Sequence, residues 1–406
     1  MISNQQSKIL FISTFPPKKC GLASFTQDLV NAIKPDMTPD FSVKVCALDK
    51  KANAPLYGHP VNMVMDSFHL ASCMETAVLI NGDPSVKLIC IEHEFGLYGG
   101  ELGDYLLDFL TMIEKPFIIR FHTVLPAPDL KRLKIVQTIS MLAGKVIVMT
   151  KNSARLLIED YQLDPEKVIV IPHGTHNNSP VGADELKLKY QLENKSVLTS
   201  FGLLSPNKGI EKGILAMKEI SAGFPHAMYI VLGHTHPNLL KQEGEKYRDY
   251  LQQLIADNHL EKNVRLVNEY ASTQKLMEYL TLTDIYLFTS KDPNQAVSGT
   301  FLYAMSAGCP IISNSFVLAK EMLGSETGII LERGDENELA ENAIRLLQND
   351  SLRKQMAKNA FLKTRDTTWK KVAEKHTRLF YEIFEKPVFT IQPNQSIKRF
   401  SWKQII

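Results

Sequence analysis

Cysteine is sparse in this chain, and what there is forms no pattern. Cys20, Cys46, Cys73, Cys90 and Cys309 are spread over 406 residues without one CxxC pair. An odd count at wide spacing argues against a disulfide framework and a zinc knuckle. Cys46 and Cys90 sit in apolar runs and read as buried thiols, which fits a reducing compartment. No run of 18 apolar residues occurs, so no bilayer-spanning helix is expected. The N-terminal MISNQQSKILFIST has no signal-peptide core and no cleavage site. On these absences a cytoplasmic chain is expected. Net charge is nearly absent too: 46 Lys and Arg against 44 Asp and Glu leave +2. Such a chain has no global field to hold a polyanion, so nucleic acid is not an expected partner. It has neither the G-x-G-x-x-G loop of a dinucleotide fold nor, in its first half, HxH or HExxH metal spacing. The first absence removes a dinucleotide fingerprint, and the second makes metal binding by that half the less expected reading.

What is present is ordinary globular material. Hydrophobic residues make up 44% and charged residues 22%, and the length suggests two or three domains. Apolar strands alternate with helical patterns. In the first half the strands are 8–14, 42–48, 86–94, 116–123, 145–150 and 167–174. The helices between them are 22–33, 66–80, 101–113, 130–143 and 152–160. Strands that are almost continuously apolar are covered on both faces, which predicts an α/β fold with parallel sheets between helix layers. Residues 175–194 turn polar and read as a linker. The alternation then restarts, with strands at 196–202, 227–234, 264–270, 284–290 and 310–314. Helices are expected at 210–220, 244–258, 274–282 and 299–307, then 336–348, 352–364 and 369–384. The two halves share a pattern and no residues. Two doubly wound halves of this kind hold a ligand at the carboxyl ends of their strands.

Several motifs fall at those ends. Gly21 closes a strand-to-helix loop and suits either an anion at a helix N-terminus or an ordinary turn. His93, Glu94, His122 and His173 end strands, and Arg120 shares a face with His122. Each histidine alone is more often a hydrogen-bonded structural residue; several at equivalent strand ends suggest a shared ligand-facing edge. In the second half, Gly202-Leu203-Leu204-Ser205-Pro206-Asn207-Lys208-Gly209 follows a strand and opens a helix. Lys208 there suits a phosphate, or is a solvated loop lysine. His234 and His236 flank Thr235 in a loop better suited to lining a substrate than to holding a metal. Ser298, Gly299 and Thr300 start a helix whose amides suit a diphosphate.

The ordered set resembles the retaining glycosyltransferases of family 4 (glycosyl transferases group 1), whose GT-B fold pairs two Rossmann-like domains. The pieces are the Gly21 loop, FHT at 121–123, IPHG at 171–174, SFGLLSPNKG at 200–209, the 298–310 segment with its Ala-Gly-Cys-Pro turn, and the Asp335-Glu336-Asn337-Glu338-Leu339 start of a late helix. The resemblance implies a first domain at 1–178 for the acceptor and a second at 190–370 for a nucleoside-diphosphate sugar. It also implies a terminal helix at 371–386 returning to the first domain, and a tail at 387–406. It implies no required metal and no cofactor, the nucleoside-diphosphate sugar being a donor substrate. Carried over by position, Gly21 lies near the donor phosphates, His122 at the transferred sugar and Lys208 on the diphosphate. Gly202 and the amides of Ser298, Gly299 and Thr300 complete the phosphate cradle. His93, Glu94, Arg120, His173 and His234 are left to the acceptor or the ligand-facing edge.

Two departures alter the donor contacts. Leu203 stands where the family has arginine. Gln295 and Tyr303 stand where it has two glutamates that touch sugar and ribose. The expected function is transfer of a hexose to a saccharide or lipid-linked acceptor, with retention. The altered pair also admits a protein that binds a nucleotide sugar or glycan without turnover. A related hydrolase or epimerase would have to rely on Glu94 and Glu101. The tail, with Lys398, Arg399, Lys403, Phe400 and Trp402, suits either packing on protein or a weak peripheral contact with an anionic membrane face.

Overall fold

The computed structural model describes residues 6–34, 37–38, 40–50 and 55–385. The chain divides into two compact units. One holds the residues up to Gly174 together with those from Trp369 onward, and the other is Thr175–Thr368.

The first unit runs β1 (Ser7–Ser13), α1 (Gly21–Ala32), β2 (Phe41–Leu48), β3 (Val61–Met65), α2 (Leu70–Gly82), β4 (Val86–His93), α3 (Tyr105–Met112), β5 (Phe117–Phe121), α4 (Leu130–Leu142), β6 (Lys145–Val148), α5 (Lys151–Glu159) and β7 (Val168–Val170). Its seven strands are ordered β3-β2-β1-β4-β5-β6-β7, and every pairing is parallel. Ile9, Leu10, Phe11 and Ile12 of β1 are all fully buried. A central strand sealed on both faces needs an unbroken apolar run, which is the pattern its sequence shows. The strand order reverses between β1 and β4, and the crevice outside their carboxyl ends is where such sheets bind ligands.

The second unit runs α6 (Ala183–Lys189), β8 (Ser196–Phe201), α7 (Ile210–Gly223), β9 (Ala227–Leu232), α8 (Pro237–Glu243), α9 (Lys246–Asp257), β10 (Val264–Val267), α10 (Thr273–Thr281), β11 (Ile285–Phe288), α11 (Gly299–Ser306), β12 (Ile311–Ser313), α12 (Val317–Met322), β13 (Gly328–Ile330), α13 (Glu336–Gln348) and α14 (Asp350–Thr364). Its parallel sheet is ordered β10-β9-β8-β11-β12-β13, with its switch point between β8 and β11. The last helix, α15 (Trp369–Glu385), belongs to the first unit. Val372, Ala373, His376, Phe380 and Ile383 form its buried stripe at helical spacing. Phe380 meets Phe11 and Phe41 edge to face, at 6.4 and 6.0 Å between ring centroids.

The structure departs from the sequence expectation at four kinds of place. The stretch expected as a linker at 175–194 is part of the second unit: α6 lies within it, and Leu186 and Leu192 are fully buried in that unit's core. Its polar composition hid a helix with one apolar face, acidic at its start and basic at its end as the helix dipole prefers. The strand expected over 167–174 shrinks to three residues. The edge strands β3 and β13 and the short helices α8 and α12 were not expected, because each is too short to show a period. The tail at 387–406 lies outside the described residues. Among the described residues, no helix is long and apolar enough to cross a membrane.

Candidate active site

In the first unit the switch-point crevice is entered by α1. Cys20 caps this helix, its Sγ accepting from the Ala23 amide at 3.3 Å, and Thr14 Oγ1 holds the thiol at 3.2 Å. Gly21 is the exposed first residue of α1, and a side chain there would meet no atom of the chain within 4 Å. The fold itself does not require glycine at this point; the approach of another molecule to the backbone would.

Beside it β4 and β5 pair in parallel with Glu92 opposite Arg120 and His93 opposite Phe121. Glu92 is the hub. One oxygen meets Arg120 Nη1 at 3.2 Å and the other meets His122 Nε2 at 2.6 Å. Burial alone would raise this carboxyl. The charge of Arg120, with the bond and charge of His122, outweighs it and holds the carboxyl below the ordinary glutamate value. The side chain of Arg120 is only 3% exposed and that of His122 is 12% exposed, so of the two His122 is the one that reaches outward. Arg120 was expected to face a ligand. It instead braces Glu92, lies 4.8 Å from the Phe25 ring and bonds His376 of α15.

The structure also moves His93 off the ligand-facing edge. It is 0% exposed, neither ring nitrogen has a hydrogen-bond partner, and Phe95, Tyr98 and Phe121 enclose it. Strand alternation puts it on the face opposite Glu92. Burial, then the charge of His122, lowers its pKa to about 3, so it stays neutral. His173 is buried as well, against Phe25 and Trp369, with its Nδ1 2.7 Å from the Gly174 carbonyl. It supports Phe25, which in turn packs edge-on to His122 at 4.9 Å. Glu94 is partly buried and accepts from Thr123 Oγ1 at 3.0 Å, and burial raises its carboxyl.

The glycine of IPHG has a local reason. A methyl group on Gly174 would run into the indole of Trp369. Gly174→Ala is therefore expected to lose about 1–3 kcal/mol of stability by overpacking. Urea unfolding followed by Trp369 fluorescence would measure it, and an unchanged midpoint would show that α15 gives way freely.

In the second unit the loop after β8 is zipped to the loop after β9. The Leu204 amide donates to the His234 carbonyl at 2.7 Å, and the His236 amide donates to the Leu204 carbonyl at 2.9 Å. His234 is thus placed by its backbone and is half-buried. Lys208 ends a single 3-10 turn, Pro206–Lys208, and its carbonyl accepts from Thr289 Oγ1 at 2.8 Å. Gly209 follows at φ +61°, and a side chain there would strike the Thr289 carbonyl. The lysine is mostly withdrawn from water, and burial lowers its pKa. Among the described residues no carboxylate pairs with it; the nearby Glu211 takes Lys291 at 2.6 Å. A pocket beside Lys208 is lined by Gly202, Thr289, Ser290 and Thr300. Ser298 caps α11, its Oγ accepting from the Phe301 amide at 3.3 Å, so the first turn from Gly299 opens with no acidic side chain. Leu203, in the arginine position, supplies no charge.

Gln295 and Tyr303 could share a helix face only if Gln295 stood at the helix start, and it does not. The helix α11 starts at Gly299, four residues beyond Gln295. Gln295 lies in the preceding loop, where its Oε1 accepts from Ser290 at 3.3 Å and its Nε2 donates to the Val297 carbonyl at 3.1 Å. Tyr303 packs against the core and edge-on to His176, 4.9 Å between centroids.

Sequence reasoning missed Glu92 and His376. A signal for Glu92 existed: a carboxylate inside an apolar strand, one strand over from Arg120. None existed for His376, which is 256 residues from Arg120 along the chain.

Residues 183–363 match the family model described as Glycosyl transferases group 1. An uncharacterized glycosyltransferase of Methanocaldococcus jannaschii is 25% identical over 249 residues, 59% of each chain. A GDP-mannose-dependent monoacylated alpha-(1-6)-phosphatidylinositol monomannoside mannosyltransferase of Corynebacterium glutamicum is 26% identical over 153 residues, 36% of each chain. The match thus spans about three fifths of the archaeal relative and just over a third of the corynebacterial one. Among solved structures, Anabaena HepE in complex with UDP and glucose superposes with a TM-score of 0.72 at 18% identity, covering 93% of this chain and all of that one. Sucrose-phosphate synthase from Thermosynechococcus elongatus gives a TM-score of 0.76 at 17% identity, covering 94% of this chain and all of that one. The fold is GT-B, and residues 183–363 are similar to the glycosyl transferases group 1 family.

Proposed function

We propose that this chain is a retaining, family 4-like glycosyltransferase that moves a hexose from a nucleoside-diphosphate sugar to a saccharide or lipid-linked acceptor. The observation that carries the reading is Lys208. It is a largely buried ammonium with no carboxylate partner among the described residues, lining a pocket with Thr300 of the acid-free α11 N-terminus. A buried cation without an anion is costly, and a bound diphosphate supplies one. As the glycosidic bond breaks, negative charge builds on the leaving diphosphate. The ammonium and the α11 amides are fixed to meet it. Because they supply the positive charge, turnover is expected to survive chelation of divalent metal. His122, more exposed than Glu92 and Arg120, is assigned to the transferred sugar, with Gly21 leaving its own backbone open. The domain match supports the transferase class. The UDP and glucose in HepE and the GDP-mannose in the corynebacterial relative's name set the donors to try first.

Incubation with UDP-, GDP- and ADP-hexoses, reading released nucleotide and the anomeric configuration of the product, tests the reading. Nucleotide release that depends on an added acceptor supports transfer, and release to water alone indicates a hydrolase. Lys208→Ala is expected to weaken nucleoside-diphosphate binding by ten- to a hundredfold, as loss of a charge-assisted contact of about 1.5–3 kcal/mol would, and to leave nucleoside binding unchanged. Equal diphosphate affinity in both proteins would remove Lys208 from the site.

A second reading, binding without turnover, is favoured by one observation: both ends of the Gln295 amide are already used inside the chain. Tight binding of a sugar nucleotide with no release under any acceptor would select it.

A further inference from the structure

Four side chains of the first unit form one directed chain of hydrogen bonds, and its direction fixes a proton. It starts at α15, where His376 Nδ1 lies 2.7 Å from the Val372 carbonyl. A carbonyl only accepts, so Nδ1 carries the hydrogen and Nε2 is left as an acceptor. Arg120 has only donors, and its Nη2 meets that Nε2. The other arm of the guanidinium, Nη1, donates to Glu92 Oε1 at 3.2 Å. The remaining oxygen of Glu92 meets His122 Nε2 at 2.6 Å. An ionised carboxylate only accepts, so His122 carries its hydrogen on Nε2. Each link has one donor and one acceptor, and the chain closes without conflict. Burial, then the charge of Arg120, keeps His376 neutral, as its acceptor role needs.

We propose that Glu92 is the positioning residue for His122. Braced by Arg120 and by His376 of the terminal helix, it fixes the hydrogen of the neutral imidazole on Nε2, so that Nδ1 of the uncharged ring is left as a hydrogen-bond acceptor for the site. Among the described residues the hydrogen bond made by the His122 ring is that of Nε2 to Glu92. The ligand group that fits Nδ1 is a hydroxyl donating its hydrogen. The site therefore selects for a free sugar hydroxyl at that point and against an ether, a deoxy position or an oxygen that can only accept. The sugar assignment rests on the function proposed above; the tautomer does not.

The test begins with the ligand-free full chain labelled with 15N-histidine. His122 is assigned by comparison with His122→Gln, and spectra are recorded at about pH 8.5, above the ordinary imidazole range. The wild-type protein should show the Nε2–H tautomer. In Glu92→Gln, Arg120 will hold the amide oxygen, which turns the amide NH2 toward His122 and makes Nε2 the acceptor. The tautomer should then invert to Nδ1–H, and kcat for transfer should fall at least tenfold. If that variant does not fold, the doubly neutral Glu92→Gln/Arg120→Gln protein should show a mixture of the two tautomers. A wild-type Nδ1–H form, or a Glu92→Gln protein that keeps Nε2–H, overturns the proposal. An inverted tautomer with unchanged kcat overturns the claim that Nδ1 meets the substrate. A chain without transfer activity on any donor would sink the functional reading, while the spectra would still decide the tautomer.

Discussion

Acidification from pH 7 to pH 5 is expected to remove on the order of 5 kcal/mol of stability from the first unit and to spare the second. The first unit buries three histidines that stay neutral. The pKa of His93 is lowered to about 3 and that of His173 to about 4, and that of His376 is pushed well below the ordinary value, each chiefly by burial. In the unfolded chain all three return to about 6.5. The unfolded state then binds more protons below that pH, and stability falls as the pH falls. Integrated from 7 to 5, His93 and His173 contribute about 2 kcal/mol each and His376 adds in the same direction, against a total of roughly 5–15 kcal/mol for a typical domain. Glu94, raised by burial, acts in the opposite direction, chiefly nearer the carboxylate range below pH 5. In the second unit, His236 is shifted down but only partly buried. Hydrogen exchange read by mass spectrometry at pH 7, 6 and 5, corrected for intrinsic rates, separates the units. Opening free energies of β1, β4 and β5 should fall and those of β8 and β11 should hold. His93→Phe, set among three aromatic rings, should remove about a third of the slope. Parallel loss in both units would show that the histidines do not drive it.

Glu92→Ala is expected to destabilise the first unit by about 3–5 kcal/mol, because it leaves the Arg120 guanidinium buried without its anion. The loss should exceed the worth of the two hydrogen bonds removed, since an uncompensated charge is the larger cost. Glu92→Met combined with Arg120→Met removes both charges and keeps the volume. It should recover most of the stability while leaving His122 and His376 without their partners. Activity should stay low in the double variant although the fold returns. Urea midpoints for the two single variants and the pair complete a double-mutant cycle. If the pair is as unstable as Glu92→Ala, the network is valued for its packing and not for its charge.

Much of this architecture was legible in the chain. The apolar runs of β1, β4, β8 and β11 read as buried parallel strands because a strand covered on both faces has no polar side to show. Helix α13 was expected at 336–348, and the structure gives Glu336–Gln348 with Asp335 as its cap. The Lys208 and Ser298 loops could be placed at strand ends because chain order alone fixes which loop follows which strand. Where a segment was short, polar or at an edge, as in α6, α8, β3 and β13, burial was decided by neighbours distant in sequence, and local composition carried no period.

The site divides along the same line. Sequence by itself determined which residues stand at the carboxyl ends of the strands, since alternation along a strand and the order of strand, loop and helix are local properties. Only the tertiary structure decided what each of them does there. His93 and His122 are both histidines at strand ends, yet one is sealed among aromatic rings and the other bonds a carboxylate and reaches outward. Gln295 and Tyr303 sit eight residues apart, yet the helix that would have aligned them begins between them. Glu92 gains its partners across a strand pairing, and Arg120 gains His376 from a helix at the far end of the chain. Burial, charge pairing and tautomer are properties of the space around a group, and that space is assembled from segments no local window contains.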